Sequence, residues 1–115
     1  MISPMLIITL LASAAPPAVN QANLAQARQT YSRCLSGLLR TNLKDKVTPE
    51  AFEATLTSSC KTEEAAFRRA VVTTDVATGT SRASAEQGAN FEIGDIVANT
   101  KENYKGYLET DTLPR

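Results

Sequence analysis

From Thr48 to Val72 the chain reads TPEAFEATLTSSCKTEEAAFRRAVV, and its apolar residues recur with the period of a helix. At about 100° per residue, Phe52, Leu56, Ser59, Cys60, Glu63, Ala66, Phe67 and Ala70 fall on one stripe. Glu50, Glu53, Lys61, Glu64 and Arg68 lie on or toward the other side. The start is marked chemically. A Thr48 hydroxyl accepts from an N–H of the first turn, Pro49 has no N–H to leave unpaired, and Glu50 and Glu53 favour the positive end of the helix. A single amphipathic helix over residues 49–76 is therefore expected, and it carries one of the chain's two cysteines.

A second stripe runs through Leu24, Ala27, Tyr31, Cys34, Leu35 and Leu38, predicting a helix over residues 20–40 with Asn20 as its cap. The link from Thr41 to Val47 is short, which makes the two helices antiparallel neighbours. If the turn lies near Leu43 to Lys46, Leu38 meets Leu56, Cys34 meets Cys60, Tyr31 meets Glu63 and Ala27 meets Phe67. The cysteines set that register, so the other layers are its check. They pair apolar with apolar, except for Tyr31 and Glu63, which are expected as a buried polar pair. Burial disfavours a charged carboxylate. That placement predicts a fold that gains stability as pH falls, the opposite of what an acid-triggered chaperone requires.

A third stripe follows a break at Gly79, which is placed to end the second helix in the left-handed conformation. It runs through Ala85, Ala89, Ile93, Ile96, Val97, Thr100, Tyr104, Tyr107 and Leu108, predicting a helix over residues 82–108 capped by Thr80 or Ser81. Gly88, Gly94 and Gly106 weaken it, and Gly94 is the candidate for a kink. Phe91 points off the stripe, toward a partner or toward the first helix. With 115 residues there is room for one small domain, and the reading is an all-α fold of three helices, its first two clasped by a disulfide.

The first charged side chain is Arg28. Before it, Met5 to Ala12 is an apolar run that closes on Ala12-Ser13-Ala14, a small-x-small cleavage pattern. The run is too short to cross a bilayer, which takes roughly 20 apolar residues. The expected organisation is a signal peptide over residues 1–14 and one helical domain over residues 15–115, exported to the periplasm or secreted. No Lys or Arg follows Met1, so a buried N-terminal helix or an uncleaved anchor is the competing reading. No cysteine stands at the cleavage point, so no lipid-modified N-terminus is indicated. Once the signal is removed, no stable membrane insertion is expected.

Composition narrows the chemistry. Lys+Arg and Asp+Glu number 12 each, so no net field points to nucleic acid or anionic lipid. The chain has no histidine, which removes the commonest general base and the commonest metal ligand. Two cysteines, Cys34 and Cys60, in an exported chain argue for a structural disulfide, with two buried free thiols as the alternative. Two thiols without a histidine are a poor zinc site. No metal, cofactor or catalytic residue is assigned. Ser58-x-x-Lys61 has the spacing of the nucleophile and base in penicillin-binding enzymes, but it falls inside a helix and lacks the companion motifs. Glu63-Glu64 and Arg68-Arg69 are adjacent charges, with Glu64 and Arg68 at a favourable i,i+4 spacing, and read as a solvated helix face rather than a catalytic site.

Tyr31-x-x-Cys34-Leu35, Thr48-Pro49-Glu50-x-Phe52 and Cys60-x-x-Glu63-x-x-x-Phe67-Arg68, behind an export signal, resemble small exported helical proteins of unknown function in alphaproteobacteria. The resemblance covers most of the mature chain and implies an exported helical hairpin with paired cysteines. It implies no activity. A likeness to disulfide-linked periplasmic acid chaperones extends only to size, compartment and cysteine number. The leading expectation is a non-enzymatic binding or structural protein of the cell envelope, with an unidentified protein partner allowed. A periplasmic stress or acid chaperone is the first alternative. A small hydrolase using Ser58 and Lys61 is the second.

Overall fold

A computed structural model describes residues 17–114, and the expected signal peptide and the start at Ala15 lie outside the described residues. Four helices follow in order among the described residues: α1 (Pro17–Lys44), α2 (Pro49–Ser59), α3 (Lys61–Ala77) and α4 (Arg82–Thr110). Among the described residues there is no strand, so the all-α expectation holds. The expectation of three helices does not. The segment read as one helix over residues 49–76 is two, broken at Cys60, whose φ of −114° and ψ of 30° interrupt the helix.

The local chemistry of that break is visible in the residues before it. Thr55 Oγ1 donates to the carbonyl of Ala51, Thr57 Oγ1 to that of Ala54, and Ser58 Oγ to those of Ala54 and Thr55. Hydroxyls that bond the backbone of the preceding turn compete with the helical ladder and bend helices. Leu56 is the one apolar side chain among the five residues from Thr55 to Ser59, so little packing opposes the break. A new ladder starts at once, with Glu64 N donating to Cys60 O at 2.9 Å.

Three helix ends close in the same way. The N–H of Val47 reaches Asn42 O and that of Lys46 reaches Leu43 O, around Lys46 at φ 50°. The same pair of bonds recurs around Gly79 at φ 103° and around Asp111 at φ 52°. This is the Schellman arrangement, and Gly79 is where the sequence placed it. The other two ends use non-glycine residues, so α1 runs on to Lys44 instead of stopping near Arg40. Its start also differs. The helix begins at Pro17, a residue favoured at the first helical position, and Asn20 is a buried member of the first turn, not its cap. Thr48 and Ser81 do cap, accepting from Ala51 N at 3.3 Å and Ser84 N at 3.2 Å. α4 continues through Gly94 without a break.

α1 and α3 are antiparallel and joined by the Cys34–Cys60 disulfide, with Cα atoms 6.0 Å apart. Fourteen residues further along each helix, Thr74 Oγ1 lies 3.4 Å from Asn20 O, so the register read from the cysteines runs the length of the pair. α4 returns antiparallel to α3 and so runs in the direction of α1. Arg28 pairs with Glu92 at 2.6 Å near one end, and Lys46 with Asp111 at 3.3 Å near the other. The core between these elements is built on four fully buried rings, Tyr31, Phe52, Phe67 and Tyr104. Leu35, Leu39, Leu43, Leu56, Val71, Ala85, Ala89 and Ile93 fill the space around them.

Candidate functional site

The residues singled out by sequence converge on the helix break. Cys60 is buried at the junction of α2 and α3, and its disulfide partner Cys34 is half-buried on α1. Tyr31, one turn before Cys34, is buried and stacks on Phe67 with ring centroids 5.8 Å apart. Arg28 lies over the other end of this layer, 5.5 Å from the Phe67 centroid. Burial raises the Tyr31 hydroxyl above the ordinary tyrosine pKa, the Glu64 carboxylate adds to that, and the Arg68 guanidinium opposes it.

Glu63 does not join Tyr31 as the buried pair expected. It is half-buried, and its carboxylate lies beside the disulfide, within 4.8 Å of both sulfurs. The face of α3 that meets Tyr31 is the one carrying Phe67, which stacks on its ring, and Glu64 and Arg68, whose charges act on its hydroxyl. The gain in stability at low pH expected from a buried Glu63 loses its basis with that placement.

Ser58 and Lys61 are both exposed, on opposite sides of the break. Ser58 Oγ is committed to backbone carbonyls, and among the described residues no hydrogen bond joins it to Lys61. The pair has the sequence spacing of a nucleophile and its base without the contact that activates one.

A different place has the shape of a binding site. Between α3 and α4 lies a groove of about 440 Å³, lined by Arg68, Arg69, Val72, Thr73, Arg82, Glu86 and Asn90. Its origin is the hairpin at Gly79, which sets the first turns of α4 beside the last turns of α3. Arg68 is held in place from two sides, by Glu64 at 2.9 Å and by the side-chain oxygen of Asn90. Arg69 is exposed and makes no ion pair among the described residues. Arg82 lies 4.0 Å from Glu86, the outer limit of an ion pair, and both side chains are exposed. The hydroxyl of Thr73 is free of protein partners among the described residues, whereas those of Thr74 and Thr78 donate to carbonyls of their own helix. Val72 is buried and forms an apolar floor.

Sequence reading placed Arg68 and Arg69 on a solvated face and assigned nothing to Arg82. The signal available was the left-handed turn at Gly79. Folding the chain back there sets residue 68 against residue 90 and gathers the three arginines. Compared with models of protein families, with curated proteins and with solved structures, the chain matches none.

Proposed function

We propose that the protein is a non-enzymatic binding protein of the cell envelope, exported by a signal peptide that is cleaved after Ala14. The observation that carries this reading is the Cys34–Cys60 disulfide, which ties α1 to the junction of α2 and α3. Disulfides persist in oxidising compartments and are rare where thiols are kept reduced. The apolar run ending in Ala12-Ser13-Ala14 and the resemblance to small exported helical proteins point the same way. Among the described residues no helix is long and apolar enough to cross a membrane. The groove between α3 and α4 supports the binding part of the reading, and the committed hydroxyl of Ser58 weighs against the hydrolase.

The test is expression of the full chain in a Gram-negative host, alkylation of free thiols in intact cells, fractionation, and N-terminal sequencing with intact mass. A periplasmic chain that begins at Ala15 and takes up no alkylating agent is expected. A chain that begins at Met1, stays in the cytoplasm and is alkylated at both cysteines would overturn the proposal.

A further inference from the structure

We propose that the groove between α3 and α4 binds a small organic anion, its carboxylate or phosphate held by Arg69 and Arg82 and its apolar body resting on Val72. This deepens the binding reading above and rests on it.

Four observations carry the inference. The groove, at about 440 Å³, has the size of a small-molecule site, with Val72 as the one apolar residue among six polar or charged ones in its lining. The rim holds three guanidinium groups against one carboxylate, so it carries a local excess of positive charge in a chain with no net charge. The three are not equivalent. Arg68 already has its partners in Glu64 and Asn90, whereas among the described residues Arg69 has none and Arg82 has only a loose one. Guanidinium forks match planar or tetrahedral oxyanions with paired N–H donors, which gives geometry as well as attraction. The Thr73 hydroxyl, without a protein partner among the described residues, supplies a neutral donor or acceptor in the same lining.

Glu86 then has a definite role. It occupies the position beside Arg82 that an incoming anion would take, and it must release that arginine for the ligand to bind. Removing its charge frees the arginine in advance.

The oxidised mature protein can be titrated at low ionic strength with phenyl phosphate, benzoate, inorganic phosphate and uncharged benzyl alcohol, following the backbone amides of residues 68–73 and 82–90 by NMR. Phenyl phosphate or benzoate is expected to shift these amides saturably, more tightly than inorganic phosphate, and benzyl alcohol is expected to leave them unmoved. Arg69→Ala and Arg82→Ala should each weaken binding about tenfold, as for loss of one charge-assisted pair. Glu86→Gln should tighten it severalfold, and Arg33→Ala, on exposed α1 surface, should change nothing. Both arginines in the test are exposed, so the variants keep the fold, which the unperturbed amides of α1 will report. Absence of saturable shifts at millimolar anion would overturn the proposal, as would binding that survives the Arg69→Ala/Arg82→Ala double substitution. Equal affinity for inorganic phosphate and phenyl phosphate would overturn the role of Val72. The titration uses purified protein, so its failure is separate from a failure of the export proposal.

Discussion

The two aromatic layers of the core lie on either side of the helix break and are secured by different means. Tyr31 and Phe67 join α1 to α3 at a centroid distance of 5.8 Å, with the Cys34–Cys60 disulfide one turn away and Arg28 over the ring. Phe52 and Tyr104 join α2 to α4 at 3.9 Å, with interplanar angle 13°. Here the second anchor is a hydrogen bond, from the Tyr104 hydroxyl to the carbonyl of Val47 at 2.5 Å. The α1–α3 layer has a covalent tie and a tyrosine hydroxyl with no protein partner among the described residues. The α2–α4 layer has no covalent tie and a tyrosine hydroxyl that is fully used. Beside the cross-link, the Tyr31 hydroxyl keeps contact with solvent in place of a protein partner. At the end of α2 away from Cys60, packing and that hydrogen bond hold the 11-residue helix to α4.

The comparison breaks most decisively at the phenylalanines. Each is fully buried, so Phe52→Ala and Phe67→Ala should each cost about 3–5 kcal/mol, measured by urea unfolding. They should differ in where the damage appears. Phe52→Ala should speed amide exchange in α2 well before it does so in α3, because α2 is tied covalently only at its C-terminal end. Uniform exchange throughout both variants would mean that the two layers form one cooperative unit.

Reducing the disulfide tests the covalent side. Closing a loop of this length is worth about 3–4 kcal/mol on the chain-entropy account. With about 4–8 °C of melting temperature per kcal/mol, the Cys34→Ser/Cys60→Ser variant should melt well over 10 °C lower. The loss should be accompanied by increased exchange at the α1–α3 contact. An unchanged melting temperature would show that packing alone holds that layer.

The smallest effects come from the two hydroxyls. Tyr104→Phe removes the bond to Val47 and should cost about 1 kcal/mol, whereas Tyr31→Phe loses no intramolecular hydrogen bond and should cost less than about 0.5 kcal/mol. Both tyrosines have raised pKa values, chiefly through burial, with Asp45 contributing at Tyr104 and Glu64 at Tyr31. Above the unfolded tyrosine value near 10, the native state therefore keeps protons that the unfolded state has lost, and stability falls as pH rises through that window. Unfolding measured from pH 8 to pH 10.5 should show this decline, and either substitution should lessen it. A decline unaltered in both variants would place its origin elsewhere.

The apolar periodicity, the caps of α2 and α4 and the turn glycine were legible in the chain because each is a local property. Thr48-Pro49 starts a helix, Gly79 ends one and Ser81 starts the next wherever the segment is placed. The register of α1 on α3 was legible as well, since two cysteines and two stripes leave few ways to align. The break at Cys60 was not. A stripe at constant period looks the same whether or not one residue in its middle leaves the helical conformation, and only the packed structure decides which segments continue in phase. The face of α3 that packs on α1 was likewise settled only by packing: Tyr31 meets Phe67 and Glu64, and Glu63 lies by the disulfide. The arginine groove was hidden for a related reason. Arg68 and Arg69 lie on α3 and Arg82 on α4, and they become one site only when the turn at Gly79 brings α4 against α3. Helix, cap and turn follow from neighbours along the chain, whereas phase and proximity follow from neighbours across it, which only the tertiary structure supplies.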